Sequence, residues 1–108
     1  MKLLLDTSRT TYQVSKPVTE KVDENGQQKR VRVTNEPMWT VQVVALDESG
    51  AEVLNVTVAG VPPKVSVGQL VVPVDLEAIP WSQGTRSGVA FRARELTPAG
   101  GQSKQSAA

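Results

Sequence analysis

Two short runs of cations, Lys29-Arg30-Val31-Arg32 and Arg92-Ala93-Arg94, are the residues of this chain whose types and spacing best suit a chemistry. That chemistry is phosphate binding. Side chains alternate along a strand, so Arg30 and Arg32 would share a face, as would Arg92 and Arg94 opposite Val89, Phe91 and Ala93. Adding Lys29 and Arg86, six of the twelve positive charges would fall on one surface if the two strands are neighbours. Acids gather elsewhere, at Asp23-Glu24 and Asp47-Glu48. This segregation makes a basic stripe on a chain of net charge +1, which is what a phosphate backbone needs. The competing reading is a solvated face whose arginines meet cross-strand carboxylates, for instance Arg94 against Glu20 or Glu52.

Binding a single strand also calls for aromatic platforms, each contributing about 1–3 kcal/mol per stacked base. The chain has four aromatics: Tyr12, Trp39, Trp81 and Phe91. Phe91 alternates with arginines and belongs in the core. Trp39, just after Pro37-Met38, reads equally as a buried anchor or as a platform. Trp81 follows Pro80 in a polar stretch close to Arg86 and is the better candidate for stacking. Gly84-Thr85-Arg86-Ser87-Gly88 could turn backbone amides toward an anion. It lacks the ending of a phosphate-binding P-loop, and a flexible β–β loop is the alternative.

Other chemistries find little support. The chain contains no cysteine and no histidine, which excludes disulfides, thiol nucleophiles, Cys/His zinc sites and imidazole catalysis. Asp75 and Glu77 are spaced as a carboxylate pair that could handle protons or bind Mg²⁺, with solvated edge charges as the alternative. No nucleophile stands beside a base. The expectation is a protein that is not an enzyme and uses no metal or cofactor. The apolar run Leu3-Leu4-Leu5 stops at Asp6, short of the about 7–15 residues of a signal-peptide core, and no segment approaches the about 18 residues of a membrane span. A soluble cytoplasmic protein is expected.

The elements that must position these residues read as strands. Eighteen valines stand against one isoleucine and one phenylalanine, and valine favours the half-buried pleat. Residues 3–6 and 10–14 read as the first extended segments. Segments 18–22 and 29–34 flank Asp23-Glu24-Asn25-Gly26, where Asn-Gly suits a hairpin turn of positive backbone angles. Segments 40–46 and 52–58 alternate with period two around Asp47-Glu48-Ser49-Gly50, a second hairpin. Segment 65–76 would put Leu70, Val72, Val74 and Leu76 on one face, with Pro73 marking an edge strand or a bulge. Residues 80–88 read as a loop and 89–96 as the last strand, while 76–79 is the only stretch suited to a helical turn. The reading is one all-β domain over residues 1–98, a small five- to seven-stranded antiparallel barrel or sandwich, with a disordered tail at 99–108.

From about residue 21 to residue 98 the order of features resembles the helix-destabilising, single-stranded-DNA-binding proteins of filamentous phages, the gene V type. The likeness lies in Lys29-Arg30-Val31-Arg32-Val33 after a hairpin, and in Trp39 leading into the turn Asp47-Glu48-Ser49-Gly50. It continues in Gly68-Gln69-Leu70-Val71-Val72-Pro73-Val74-Asp75-Leu76, and in Gly88-Val89-Ala90-Phe91-Arg92-Ala93-Arg94-Glu95-Leu96-Thr97-Pro98. The composition is also similar to small accessory proteins of actinomycete plasmids and integrative elements. The resemblance implies an OB-like barrel working as a homodimer, with Arg30, Arg32, Arg92 and Arg94 on phosphates of single-stranded DNA, RNA being left open. The family's DNA-binding hairpin is basic and aromatic, whereas the tip here is Asp23-Glu24-Asn25-Gly26. The expected role is coating a strand in mobile-element replication or transfer, through Lys29, Arg30, Arg32, Trp39, Trp81, Arg86, Arg92 and Arg94. The alternative is a protein-binding accessory of a replication or transfer protein, with no affinity for nucleic acid.

Overall fold

The computed structural model describes residues 2–99, and the tail expected from Ala99 lies, beyond Ala99 itself, outside the described residues. Alternating valines build the longest elements, β4 (Met38–Asp47) and β5 (Gly50–Ala59), which pair antiparallel in register from Met38↔Ala59 to Asp47↔Gly50. Their inner side chains, Val41, Val43, Leu54, Val56 and Val58, are buried. Their outer ones run from Thr40 and Thr57 through Gln42 and Asn55 to Val44 and Val53. Before this hairpin come β1 (Leu3–Leu4), β2 (Thr11–Val14) and β3 (Thr19–Glu20). After it come β6 (Leu70–Val74), β7 (Glu77–Gln83), β8 (Arg86–Arg92) and β9 (Glu95–Pro98).

The last four segments form one long bent hairpin. The chain runs from β6 into β7 and, after the turn, from β8 into β9, with β7 pairing β8 and β6 pairing β9. Beyond the bend β6 also joins β2, while β8 lies parallel to β5 through Val56↔Phe91 and Thr57↔Arg92. Taking each bent strand as one, the curled sheet runs β2, β4, β5, β8/β9, β6/β7 and back to β2. This is an OB-like barrel, antiparallel everywhere except the β5–β8 contact, with β1 and β3 as short additions on β7 and β4. Tyr12, Val14, Val71, Leu76, Ala93 and Leu96 complete the core with the β4–β5 valines, and Leu5, Val18, Val65 and Phe91 pack against it. Each fully buried Val or Leu contributes about 1.5–3 kcal/mol.

The bend sits at Asp75, whose φ of 54° is left-handed, a conformation that costs a non-glycine residue about 1–2 kcal/mol. It also resets the side-chain phase. Leu70, Val72 and Val74 share one face as expected, which points outward, but Leu76 does not stay with them: after Asp75 it turns inward and is 1% exposed. The inner side of β6 is Val71 and Pro73.

β6 pairs β9 from Val71 to Val74 but β2 only at Leu70 and Val71, so Pro73 lies at a local edge, as expected. Leu70 and Val74 carbonyls accept from Ala99 and Arg94, so alternation turns Pro73 toward β2, which pairs only as far as Val71. The missing donor falls where no partner strand remains. Residues 80–88, however, are not a loop. Gly84, at φ 64°, opens a two-residue turn that lets β7 and β8 pair from Glu77↔Arg92 to Gln83↔Arg86. The stretch 76–79 enters β7 rather than making a helical turn.

The first expected hairpin is also different. Only Gly26 takes a positive φ, and the Asp23 carboxylate receives the Asn25 and Gln27 amides. Its second arm ends early: residues 32–34 turn, Asn35 is left-handed at φ 62°, and Val31 N–H reaches Glu36 O at 2.8 Å. The strand expected over residues 29–34 is thus reduced to bridged backbone at Lys29 and Arg30, and residues 31–36 close a second small turn. Arg30 bridges Pro37 and Arg32 lies in the turn, so the two do not alternate on one strand face.

Candidate nucleic-acid interface

The outer face of the barrel is organised by one row of neighbours. Register places Thr19 beside Thr40, Thr40 beside Thr57, Thr57 beside Arg92 and Arg92 beside Glu77. All five point outward, because the residues flanking them in β5, β7 and β8, such as Val56, Val58, Ala78 and Ala93, point in. The row runs into a shallow cleft of about 260 Å³ lined by Lys16, Pro17, Thr19, Thr40, Gln42 and Asn55.

Lys21 joins this face from the loop after β3. Its N–H donates to Met38 O at 3.0 Å and its carbonyl accepts from Lys29 N–H at 2.7 Å, which pins the backbone against the start of β4. From there the ammonium donates to Thr57 Oγ1 at 3.0 Å. Partial burial first, and the charge of Lys29 second, hold its pKa below the ordinary lysine value. Sequence reasoning missed Lys21, because it stands outside both cation runs. Its one signal was its spacing from Thr19, two residues away on the same side of a strand.

Along β7 and β8 the same face continues through Ile79 and Ala90 to Trp81 and Gly88, then to Gln83 and Arg86. Trp81 is 42% exposed and lies over Gly88: a β-carbon on that glycine would stand 2.8 Å from Trp81 Cζ2. The ring is thus backed by Gly88 and remains partly exposed. Four residues separate Trp81 from Glu77, about 13 Å at the rise of a strand.

The expected arginine cluster is brought together only in part. Arg92 and Arg94 sit at the bend, each facing an acid of the opposite strand. Arg92 Nη2 reaches Glu77 Oε1 at 2.6 Å, with Nε at 3.2 Å on the same oxygen, and Arg94 Nε lies 3.5 Å from Asp75 Oδ2. Cross-strand neutralisation therefore occurs, with partners other than Glu20 or Glu52, and Asp75 and Glu77 are the acids of these two ion pairs. Arg30 Nη1 donates to Asn35 O within its own turn, and Arg32 is exposed beside it. Glu36, from the same turn, lines a cleft of about 520 Å³ together with Asp75, Glu77, Arg92 and Arg94, which places an acid between the two cation runs.

Trp39 takes the anchoring position. It pairs with Val58 and donates from Nε1 to Gly60 O at 2.8 Å, on the side of β4 away from Thr40. Lys29 is exposed, and Arg86 is exposed at the β7–β8 turn. Among the described residues no cluster of acids suited to a metal ion is present. Comparison of the chain with protein families, with curated proteins and with solved structures finds no match.

Proposed function

We propose that this chain is a non-enzymatic single-stranded nucleic-acid-binding protein that lays the strand across the outer face of β4, β5, β7 and β8. The observation that carries the reading is the alignment on that face of Lys16, Lys21, Arg92, Trp81 and Arg86. Of the carboxylates beside them, Glu77 is already paired with Arg92, and Glu36 lines the adjoining cleft. OB-fold barrels bind oligonucleotides with the second and third strands and with the loops joining strands one to two and four to five. Those parts here are β4, β5, the 15–37 connection and the β7–β8 turn. Cations along the face would meet phosphates, and Trp81 would stack a base. The resemblance to the gene V type extends the proposal to a homodimer that coats DNA in mobile-element replication or transfer.

The test is fluorescence anisotropy of a labelled oligo(dT) and of its RNA counterpart, titrated at low and high salt. Binding that weakens with a log–log slope near −0.7 per phosphate contacted supports the reading, and a slope near zero opposes it.

A second reading has its own observation. The other half of the β4–β5 face is apolar, with Leu46 and Val53 exposed beside the acidic turn at Asp47 and Glu48. Exposed apolar groups of this kind suit a protein partner. The strand edge expected at residues 71–74 is closed by β9 on one side and, on the other, by β2 at Val71 alone, leaving Val72 to Val74 without a β2 partner. A protein-binding role would use the apolar face in preference to that short edge, where Pro73 offers no donor for strand addition. Recovery of a defined protein partner with no nuclease-sensitive material would favour it.

A further inference from the structure

We propose that Lys21 and Thr57, with Lys29 beside them, form a discrete seat for a phosphate group. Lys21 is anchored through its backbone to both Met38 and Lys29, so its side chain starts from a fixed point and reaches one atom, Thr57 Oγ1. That hydroxyl accepts from Lys21 and keeps its own proton free to donate. The ammonium keeps two further donors. Partly buried cations are normally matched by an acid, because desolvation without a counter-charge is costly. Yet the ion pairs among the described residues are Arg92–Glu77 and Arg94–Asp75, and neither includes Lys21.

The charges nearest the seat are Lys29 and Arg92, while the acid Glu36 lines the adjoining cleft with Ala59 and Arg92 and does not reach Lys21 in an ion pair. Lys29 adds a second positive charge from the loop, close enough to disfavour the Lys21 ammonium. On β8, Arg92 is the neighbour of Thr57, and its acid on β7, Glu77, is turned toward Arg92. On β3, Glu20 pairs with Trp39 and so lies on the opposite side of the strand from Thr19. A tetrahedral oxyanion offers several acceptors at once, and lysine serves phosphate as a compact point charge. Bound there, it would receive Lys21 N–H, the Thr57 O–H and the Lys29 charge together.

The inference rests on the nucleic-acid reading in taking the phosphate from a polynucleotide backbone. Free inorganic phosphate is the other source of the same chemistry. The test is NMR of the lysine Nζ and Thr57 signals, at fixed ionic strength, titrated with inorganic phosphate or with oligo(dT), and with chloride as control. Saturable shifts at Lys21 and Thr57 with the oligonucleotide, lost in Lys21→Met and weakened in Thr57→Val, are expected. Oligo(dT) affinity should then fall at least tenfold in Lys21→Met. Lys21→Arg, which keeps the charge, should retain part of it. Thr57→Val preserves shape and branching on β5, so its loss of response cannot be ascribed to a misfolded loop. Shifts with inorganic phosphate alone would keep the seat and remove the nucleic-acid reading. Oligonucleotide binding that leaves Lys21 and Thr57 unmoved would overturn the seat and keep that reading. No response to either ligand would overturn both.

Discussion

Arg92 donates from both Nε and Nη2 to a single oxygen of Glu77, at 3.2 and 2.6 Å, on the face proposed to hold the nucleic acid. A phosphate that uses Arg92 must compete with this resident carboxylate. Glu77→Gln should therefore tighten oligonucleotide binding by about three- to tenfold and steepen the salt dependence by about 0.7 in log–log slope, one further phosphate contact. Equal affinity and slope in wild type and Glu77→Gln, measured by anisotropy, would mean that Arg92 does not meet the ligand.

Trp81 over Gly88 gives a second prediction. Replacing Trp81 by Ala removes the platform and should weaken binding by about 1–3 kcal/mol for one stacked base, roughly 5- to 150-fold. Gly88→Val drives a side chain into the ring, since even a β-carbon would stand 2.8 Å from it. The indole must leave, and its fluorescence should shift toward that of a solvated tryptophan. Unchanged emission in Gly88→Val would contradict the close approach.

The bend supplies a test of the fold. Leu76 is 1% exposed and enters the core only because Asp75 turns left-handed just before it. Leu76→Ala should cost about 2–5 kcal/mol in chemical denaturation, whereas Val72→Ala, on the outward side of the same bent strand, should cost well under that. Similar losses at the two positions would refute the change of phase.

Much of the barrel was legible because period-two alternation is strong where one face is buried, as from Thr40 to Leu46 and from Glu52 to Val58. The parts that were not legible share a cause. Asn35 and Asp75 take left-handed angles that no local residue pattern announces, and each redirects its neighbours: Arg32 into a turn, Leu76 into the core. Pro73 was legible as an edge residue, but that the edge arises because β2 stops short of it was not. The Glu77–Arg92 and Asp75–Arg94 pairs depend on the register of a hairpin whose arms were read as a loop. Lys21 gains its place only through Thr57, 36 positions away in sequence.

Tyr12 offers a clean titration, being the single tyrosine. Burial raises its pKa above 10.0, a hydrogen bond from Thr10 opposes this, and the charges of Asp47 and Asp6 add to it. The folded state favours the neutral phenol, so this contribution to stability is complete below pH 10 and falls as pH rises through the raised value. Lys21 acts with the opposite sign. Its charged form is penalised in the fold, so its effect on stability improves between its lowered pKa and 10.5. Lys21→Met removes the Lys21 effect and leaves that of Tyr12, and tyrosinate absorbance should appear at higher pH in the folded protein than in denaturant. Coincident titration curves would show that the phenol is not desolvated.

The most direct measurement uses Trp39→Phe protein, which leaves Trp81 as the only tryptophan. Its fluorescence is titrated with single-stranded oligo(dT) at low salt and again at high salt. Saturable quenching at low salt that high salt reverses is the predicted result, placing Trp81 beside bases and the Lys21–Arg92 face beside phosphates. No change in intensity or anisotropy at low salt would contradict nucleic-acid binding and leave the apolar half of the β4–β5 face as the functional surface.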